Sequence, residues 1–176
     1  MTYYLMRDLE RVLEYLPVSL AAGAVAAVFF LSWESLRRGR WKWKKVFRVF
    51  FLAAYLTGMV GLTLLNREEG SRIGISLIPF ETWSSNVRDV LFVIENILLF
   101  IPFGILVPGL CRGMDRWPIL LRTAFLVTAG IEVIQLFTGR GYFQVDDIVN
   151  NFVGAALGYG ILQGMRKIRA AKKENS

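Results

Sequence analysis

Five apolar stretches, at 16–33, 46–65, 90–110, 118–137 and 148–165, leave this chain few ways to fold. Each is close to the roughly 20 residues an α-helix needs to cross a hydrocarbon core about 30 Å thick. A soluble domain of this size buries one core and has no use for apolar runs this long. Within a bilayer every backbone amide must find its partner inside the chain, which selects helices. The expected fold class is therefore all-α: a polytopic membrane helix bundle of about five transmembrane helices, one domain over 1–176. Composition agrees, with 55% hydrophobic and 20% charged residues.

The opening MTYYLMRDLERVLEYL mixes acids with bases before the first apolar run. A cleavable signal has a basic start, a shorter core and a small-residue cleavage site, so the first span reads as an uncleaved helix. Cys111 is the single cysteine and there is no histidine. These counts exclude an intramolecular disulfide, a cysteine metal cluster, a Ser-His-Asp triad and an HExxH zinc site. Neither a metal nor a cofactor is expected.

Basic residues set the orientation. Between the first two spans stand Arg37, Arg38, Arg40, Lys42, Lys44 and Lys45, with Arg48 entering the helix. Arg112, Arg116 and Arg122 mark the next loop on that side, and Arg166, Lys167, Arg169, Lys172 and Lys173 follow the last span. Fifteen of the 21 basic residues thus share one side, while Arg7, Arg11, Arg67, Arg72, Arg88 and Arg140 lie on the other among acids. The N-terminus is expected outside, with the C-terminus and its basic tail, 166–176, in the cytosol. RRGRWKWKK, interleaved with Trp41 and Trp43, could be read as a nucleic-acid patch. Beside a span it reads instead as an anchor to anionic headgroups on the cytosolic face. Lipids, and no nucleic acid, are the expected partners there.

The longest loop, 66–89, lies outside and contains ISLIPF, which is too short to span. It either lies at the interface or dips into the bundle before a short amphipathic turn.

Polar residues collect where three spans meet the outer face. Span four runs outward, so Glu132 and Gln135 fall in its last turns, and Gly139-Arg140-Gly141 makes a flexible external turn. Span five begins with Asp146 and Asp147 and descends past Asn150 and Asn151, while Glu95 and Asn96 open span three from the same side. Glu132 and Gln135 share a helix face with Thr128 one turn deeper. Asp147, Asn151, Gly154 and Gly158 form another face, and the GxxxG spacing of the last two lets a neighbouring helix approach closely. That face should point into protein.

Each of these residues has a structural reading as well. Asp146 and Asp147 can cap a helix start and complement its dipole. Gln135, Asn96 and Asn151 can be interhelical hydrogen bonds worth roughly 0.6–2 kcal/mol each. Glu132 is harder to assign so, because an intramembrane carboxylate is costly unless paired or protonated. Arg140 is its nearest basic candidate. GRGYFQ lacks the third glycine of GxGxxG and is expected on no strand, Ser84 and Ser85 have no visible base, and adjacent Asp146 and Asp147 face different directions. No complete catalytic constellation is present.

The sequence resembles the VanZ-like family of bacterial membrane proteins over roughly 55–159. ENILLFIPFGILVP matches the family's NxxLFxPFG run at Asn96, Leu99, Phe100, Pro102, Phe103 and Gly104. Glu132-x-x-Gln135, Gly139-Arg140, Asp147-x-x-x-Asn151-x-x-Gly154 and Gly158-Tyr159 form the second signature, with Pro79-Phe80 and Tyr55 as weaker matches. Gln144 stands where the family often has aspartate, and Ser76 where asparagine is common. The missing acid at 144 weakens any multi-carboxylate metal site.

The resemblance implies a multi-pass protein of the bacterial plasma membrane, and the family's namesake is linked to resistance to teicoplanin, a lipid-tailed glycopeptide. The expected function is that of a non-enzymatic or weakly enzymatic protein whose outer polar site engages an amphiphilic envelope ligand, antibiotic or lipid-linked cell-wall precursor. Glu132, Asp147 and Arg140 supply its charge, and Gln135, Asn96 and Asn151 orient it. The alternative is a membrane enzyme acting on a lipid-linked substrate by carboxylate acid–base chemistry. A proton-linked transporter is disfavoured, since no polar residues continue through the inner half.

Overall fold

The computed structural model describes residues 2–38, 43–65, 72–83, 86–110 and 112–174 of the 176. Five long helices account for most of them: α1 (Thr2–Arg38), α2 (Trp43–Val60), α3 (Val87–Leu110), α4 (Trp117–Phe137) and α5 (Val145–Glu174). Each contains one of the five apolar stretches, the second ending in the turn that follows α2. A π-helical turn, Gly61–Leu65, extends α2, and a 3-10 turn, Arg112–Met114, precedes α4. Arg40, Trp41 and Lys42 of the basic linker, part of the external loop, Ser84, Ser85 and Cys111 lie outside the described residues.

Four helices are long and apolar enough to cross a membrane: α1 (Met6–Arg37), α2 with its π turn, α3 and α4. This is a membrane protein. The fifth helix is as long as expected but falls below that measure. Asn150, Asn151, Gln163 and four glycines dilute its middle, and Asp146, Asp147 and the basic residues from Arg166 onward bound it. Its burial explains why this is tolerated. Residues from Asp146 to Tyr159 include nine that are buried, so this face needs partners within the protein more than it needs apolarity.

The chain divides into two compact units, Met1–Gly74 with Ile134–Tyr142, and Ile75–Val133 with Phe143–Ser176. In the first unit α1 and α2 form an antiparallel hairpin. Tyr15 lies over Gly61, Ser19 over Gly58, and Gly23 against the Phe50 carbonyl, where small residues let the two backbones approach. Near the linker end Lys45 Nζ stands 3.9 Å from Glu34 Oε1. Pro17 lies inside α1, so the first helix continues through a residue that cannot donate to its ladder.

In the second unit α3 and α5 run parallel. Gly154 faces the Ile97 carbonyl, Gly158 the Ile101 carbonyl and Gly104, and Gly104 in turn the Ala155 carbonyl. The face expected to point into protein does so, with Gly154 and Gly158 allowing backbone-to-backbone contact. Phe100 and Phe103 pack with ring centroids 5.6 Å apart in this core. The α4 helix runs antiparallel to α5, joined to it at one end by Trp117 on Tyr159, centroids 5.1 Å apart. Leu120, Ala124, Thr128, Ile131, Glu132 and Gln135 are its buried stripe, spaced by three or four residues except for the adjacent Ile131 and Glu132.

Two short strands were not foreseen. β1 (Arg72–Ser76) and β2 (Arg140–Gln144) pair into a two-stranded sheet. GRGYFQ therefore lies on a strand, contrary to expectation, with Gly139 supplying the turn at φ 65° that leads into it. Only glycine adopts that conformation without strain. Gly74 is the reason the strands fit: the ring of Tyr142 occupies the space its Cβ would need.

Candidate functional site

The polar cluster of the second unit is built around the N-terminus of α5. Asp146, in the first turn, accepts three hydrogen bonds from one short segment: Phe80 N at 2.5 Å, Thr82 N at 2.8 Å and Thr82 Oγ1 at 2.7 Å. A buried carboxylate is retained when it is this well supplied with donors, and its charge also complements the helix dipole. Asp147, one residue on, points to α3 and accepts from Asn96 Nδ2 at 2.6 Å. The two adjacent acids do face different directions.

A third carboxylate arrives from α4. Glu132, 1% exposed, accepts at Oε2 from Gln144 N at 3.0 Å, the backbone amide just before the first residue of α5. One turn deeper, Thr128 Oγ1 accepts from Asn151 Nδ2 at 2.7 Å. Asn96, Glu132, Asp147 and Asn151 are thus held in this unit by named partners on α3, α4, β2 and α5. Asn150 belongs with them. It is 1% exposed, and neither its Nδ2 nor its Oδ1 has a hydrogen-bond partner in the protein, as is also true of Asn151 Oδ1.

Gln135 and Arg140 fall in the first unit, where they serve the end of α2. Gln135 Nε2 donates to the Thr63 carbonyl at 2.9 Å and Arg140 Nη1 to the Leu64 carbonyl at 3.0 Å. The last carbonyls of a helix lack partners within it, and a π turn displaces them further. A guanidinium there also suits the negative end of the helix dipole. In span two, Tyr55 donates its hydroxyl to Met59 Sδ at 3.4 Å.

Chemically, the arrangement offers carboxylates, amides and the hydroxyls of Thr82 and Thr128. Among the described residues, no three acidic, histidine or cysteine side chains are grouped to hold a metal ion.

The family model for VanZ/LLP1 matches residues 20–166. The chain belongs to the VanZ/LLP1 family. It is 29% identical over 122 residues to Protein VanZ of Enterococcus faecium, an alignment covering 62% of this chain and 71% of that protein. No solved structure matches it. In this member of the family each signature divides between two physical tasks, and in the second Gly154 and Gly158 pack while Glu132, Asp147 and Asn151 join the polar cluster. In NxxLFxPFG, Phe100, Phe103 and Gly104 build the α3–α5 contact, while Asn96 belongs to the polar cluster.

Two residues of the cluster, Asp146 and Asn150, are countable in it by sequence but carry no role there. Asp146 reads as a helix cap, and nothing in its own neighbourhood signals that its acceptors serve a segment more than sixty residues away. The Pro79-Phe80 pair, noted as a weak family feature, was the available signal. Asn150 stands beside Asn151 and off its face by spacing alone, so its burial becomes visible only in three dimensions.

Proposed function

We propose that this chain is a multi-pass protein of the bacterial plasma membrane whose polar cluster at the start of α5 engages an amphiphilic envelope ligand. The ligand is a lipid-tailed glycopeptide or a lipid-linked cell-wall precursor, and no reaction is catalysed on it. In this reading Glu132 and Asp147 supply charge and Asn96 and Asn151 orient the site, joined by Asn150, while Gln135 and Arg140, expected to share in it, hold the end of α2 instead.

The observation that carries the reading is the state of Asn150. A buried amide with no partner costs about 1–3 kcal/mol. Such a group persists where a hydrogen-bonding guest offsets the cost, and Asn151 Oδ1, equally without a partner in the protein, lies on the next residue. Membership of the VanZ/LLP1 family adds support for a role in glycopeptide resistance.

The cluster faces outward in this proposal, with the N-terminus outside. The bias of basic residues supports that side, as does Arg166, which pairs with Asp115 at 2.5 Å and so brings the start of the basic tail to the α3–α4 link. Both are segments assigned to the cytosol and its anionic lipids.

Asn150→Leu and Glu132→Gln test the reading in cells challenged with teicoplanin. Leucine matches asparagine in size and removes the unpartnered amide, so a purely structural residue should give an equally or more stable protein with tolerance unchanged. Glutamine can still accept from Gln144 N. The expected result is lost tolerance in both variants, at wild-type expression and with thermal stability in detergent retained. Full tolerance in both would count against the site.

A further inference from the structure

The segment between β1 and α3 carries an apolar surface that the helices do not cover. Ile75, Leu77, Ile78, Phe80 and Trp83 are 54–65% exposed, five large apolar side chains within nine residues. Contiguous exposed apolar side chains in so short a stretch mark a contact surface. The segment is also fixed. It begins in β1, paired with β2, and three hydrogen bonds to Asp146 tie Phe80 and Thr82 to the first turn of α5. Ser76 Oγ bonds the Glu81 carboxylate across the turn, and Trp83 N donates to Phe80 O at 3.2 Å. Phe80 has φ 64°, a strained conformation for a bulky side chain, and its ring packs edge-on to Trp83 with centroids 5.2 Å apart. Strain held in place by this many bonds points to a required position for the ring.

We infer that residues 75–83 form a rigid interfacial anchor that seats Ile75, Leu77, Ile78, Phe80 and Trp83 at the headgroup–acyl boundary of the bilayer its own helices cross. The level is set by Asp146. Thr82 is bound at the N-terminal end of α5, beside the end where α3 begins and α4 finishes, so the segment cannot descend as a re-entrant loop. Irregular backbone deeper in the bilayer needs a protein or water lining, whereas at the boundary its amides are solvated. Tryptophan beside aliphatic side chains is the composition favoured at that depth. The membrane-crossing α3 follows closely in sequence and itself exposes Val87, Val90 and Ile94, which favours lipid over a second copy of the chain as the cover. This inference is independent of any ligand at the polar cluster.

The full chain in phosphatidylcholine vesicles provides the test. With the other four tryptophans replaced by Phe, Trp83 fluorescence is measured against lipids brominated near the headgroup or near the chain terminus. Shallow bromines should quench at least about twofold more strongly than deep ones. A nitroxide on Ile78→Cys in a Cys111→Ser background, which keeps every tryptophan, should report the same shallow depth with an immobilised spectrum. Adding Asp146→Ala should mobilise that nitroxide while the helix content is unchanged. Deeper quenching would mean a re-entrant loop, and accessibility to aqueous quenchers alone a water-facing one. Protection that disappears on dilution into excess lipid would mean a second copy. Any of the three, or a nitroxide unaffected by Asp146→Ala, overturns the proposal.

Discussion

Gly154 lies against the main-chain carbonyl of Ile97, so closely that a Cβ at that position would overlap the oxygen. Neither atom can retreat without moving a helix, because both sides of the contact are backbone. Gly154→Ala should therefore lower stability by on the order of 1–3 kcal/mol, the usual penalty of overpacking. Gly164 lies on the same helix with nothing within 4 Å of its missing Cβ. There alanine should stabilise by about 0.4–1 kcal/mol through the entropy of the unfolded chain. Opposite shifts in the detergent melting temperature are expected, and equal shifts would show that α3 and α5 do not meet at this glycine.

The same helix pair is joined higher up by Asn96 and Asp147, 2.6 Å apart. A double-mutant cycle with Asn96→Ala and Asp147→Ala, read by denaturation, should give a coupling of about 0.6–2 kcal/mol. Repeating the cycle with Asn96→Ala and Asp146→Ala should give a much smaller value, since Asp146 turns to Phe80 and Thr82 instead. Similar couplings for the two acids would contradict their opposed orientations.

Membrane orientation can be read with single cysteines in a Cys111→Ser background. Thr138 is exposed at the end of α4, and Lys172 is exposed in the tail of α5. The bias of basic residues leads us to expect an impermeant thiol reagent to label Thr138→Cys in intact cells and Lys172→Cys only after permeabilisation. Gly141, the more obvious loop position by sequence, is buried in β2 and makes a poor probe.

What could be read in the sequence was whatever repeats at a helical period. The apolar stretches gave the helices, and the spacing Asp147, Asn151, Gly154, Gly158 gave a packed face that Ile97 and Ile101 now complete. The strands could not be read. Arg140–Gln144 is short, carries only modest β character, and owes its conformation to pairing with a segment more than sixty residues distant. The fifth helix was legible as a helix, but its expected role as an apolar span overlooked how far burial against α3 and α4 relaxes the need for apolar residues. The links from Asp146 to Thr82 and from Gln135 to Thr63 join residues 64 and 72 positions apart, and no local pattern encodes such partners.

That last link makes a separate claim about the end of α2. Gln135 Nε2 donates to the Thr63 carbonyl, and Arg140 to the next carbonyl, Leu64, so the π turn is held by two side chains from one short stretch. Gln135→Met keeps the volume and removes the donor, leaving the Thr63 carbonyl without that bond in a buried setting. A loss of about 1–3 kcal/mol is expected locally. Amide hydrogen exchange should then quicken across Gly61–Leu65 by roughly tenfold, with the middle of α2 unchanged. Thr123→Val on α4 is the control, because the Thr123 hydroxyl bonds only to the Ile119 carbonyl of its own helix at 2.8 Å. Exchange at Gly61–Leu65 that responds equally to both substitutions would mean that the turn senses α4 as a whole, and that the Gln135 amide is not what fixes it.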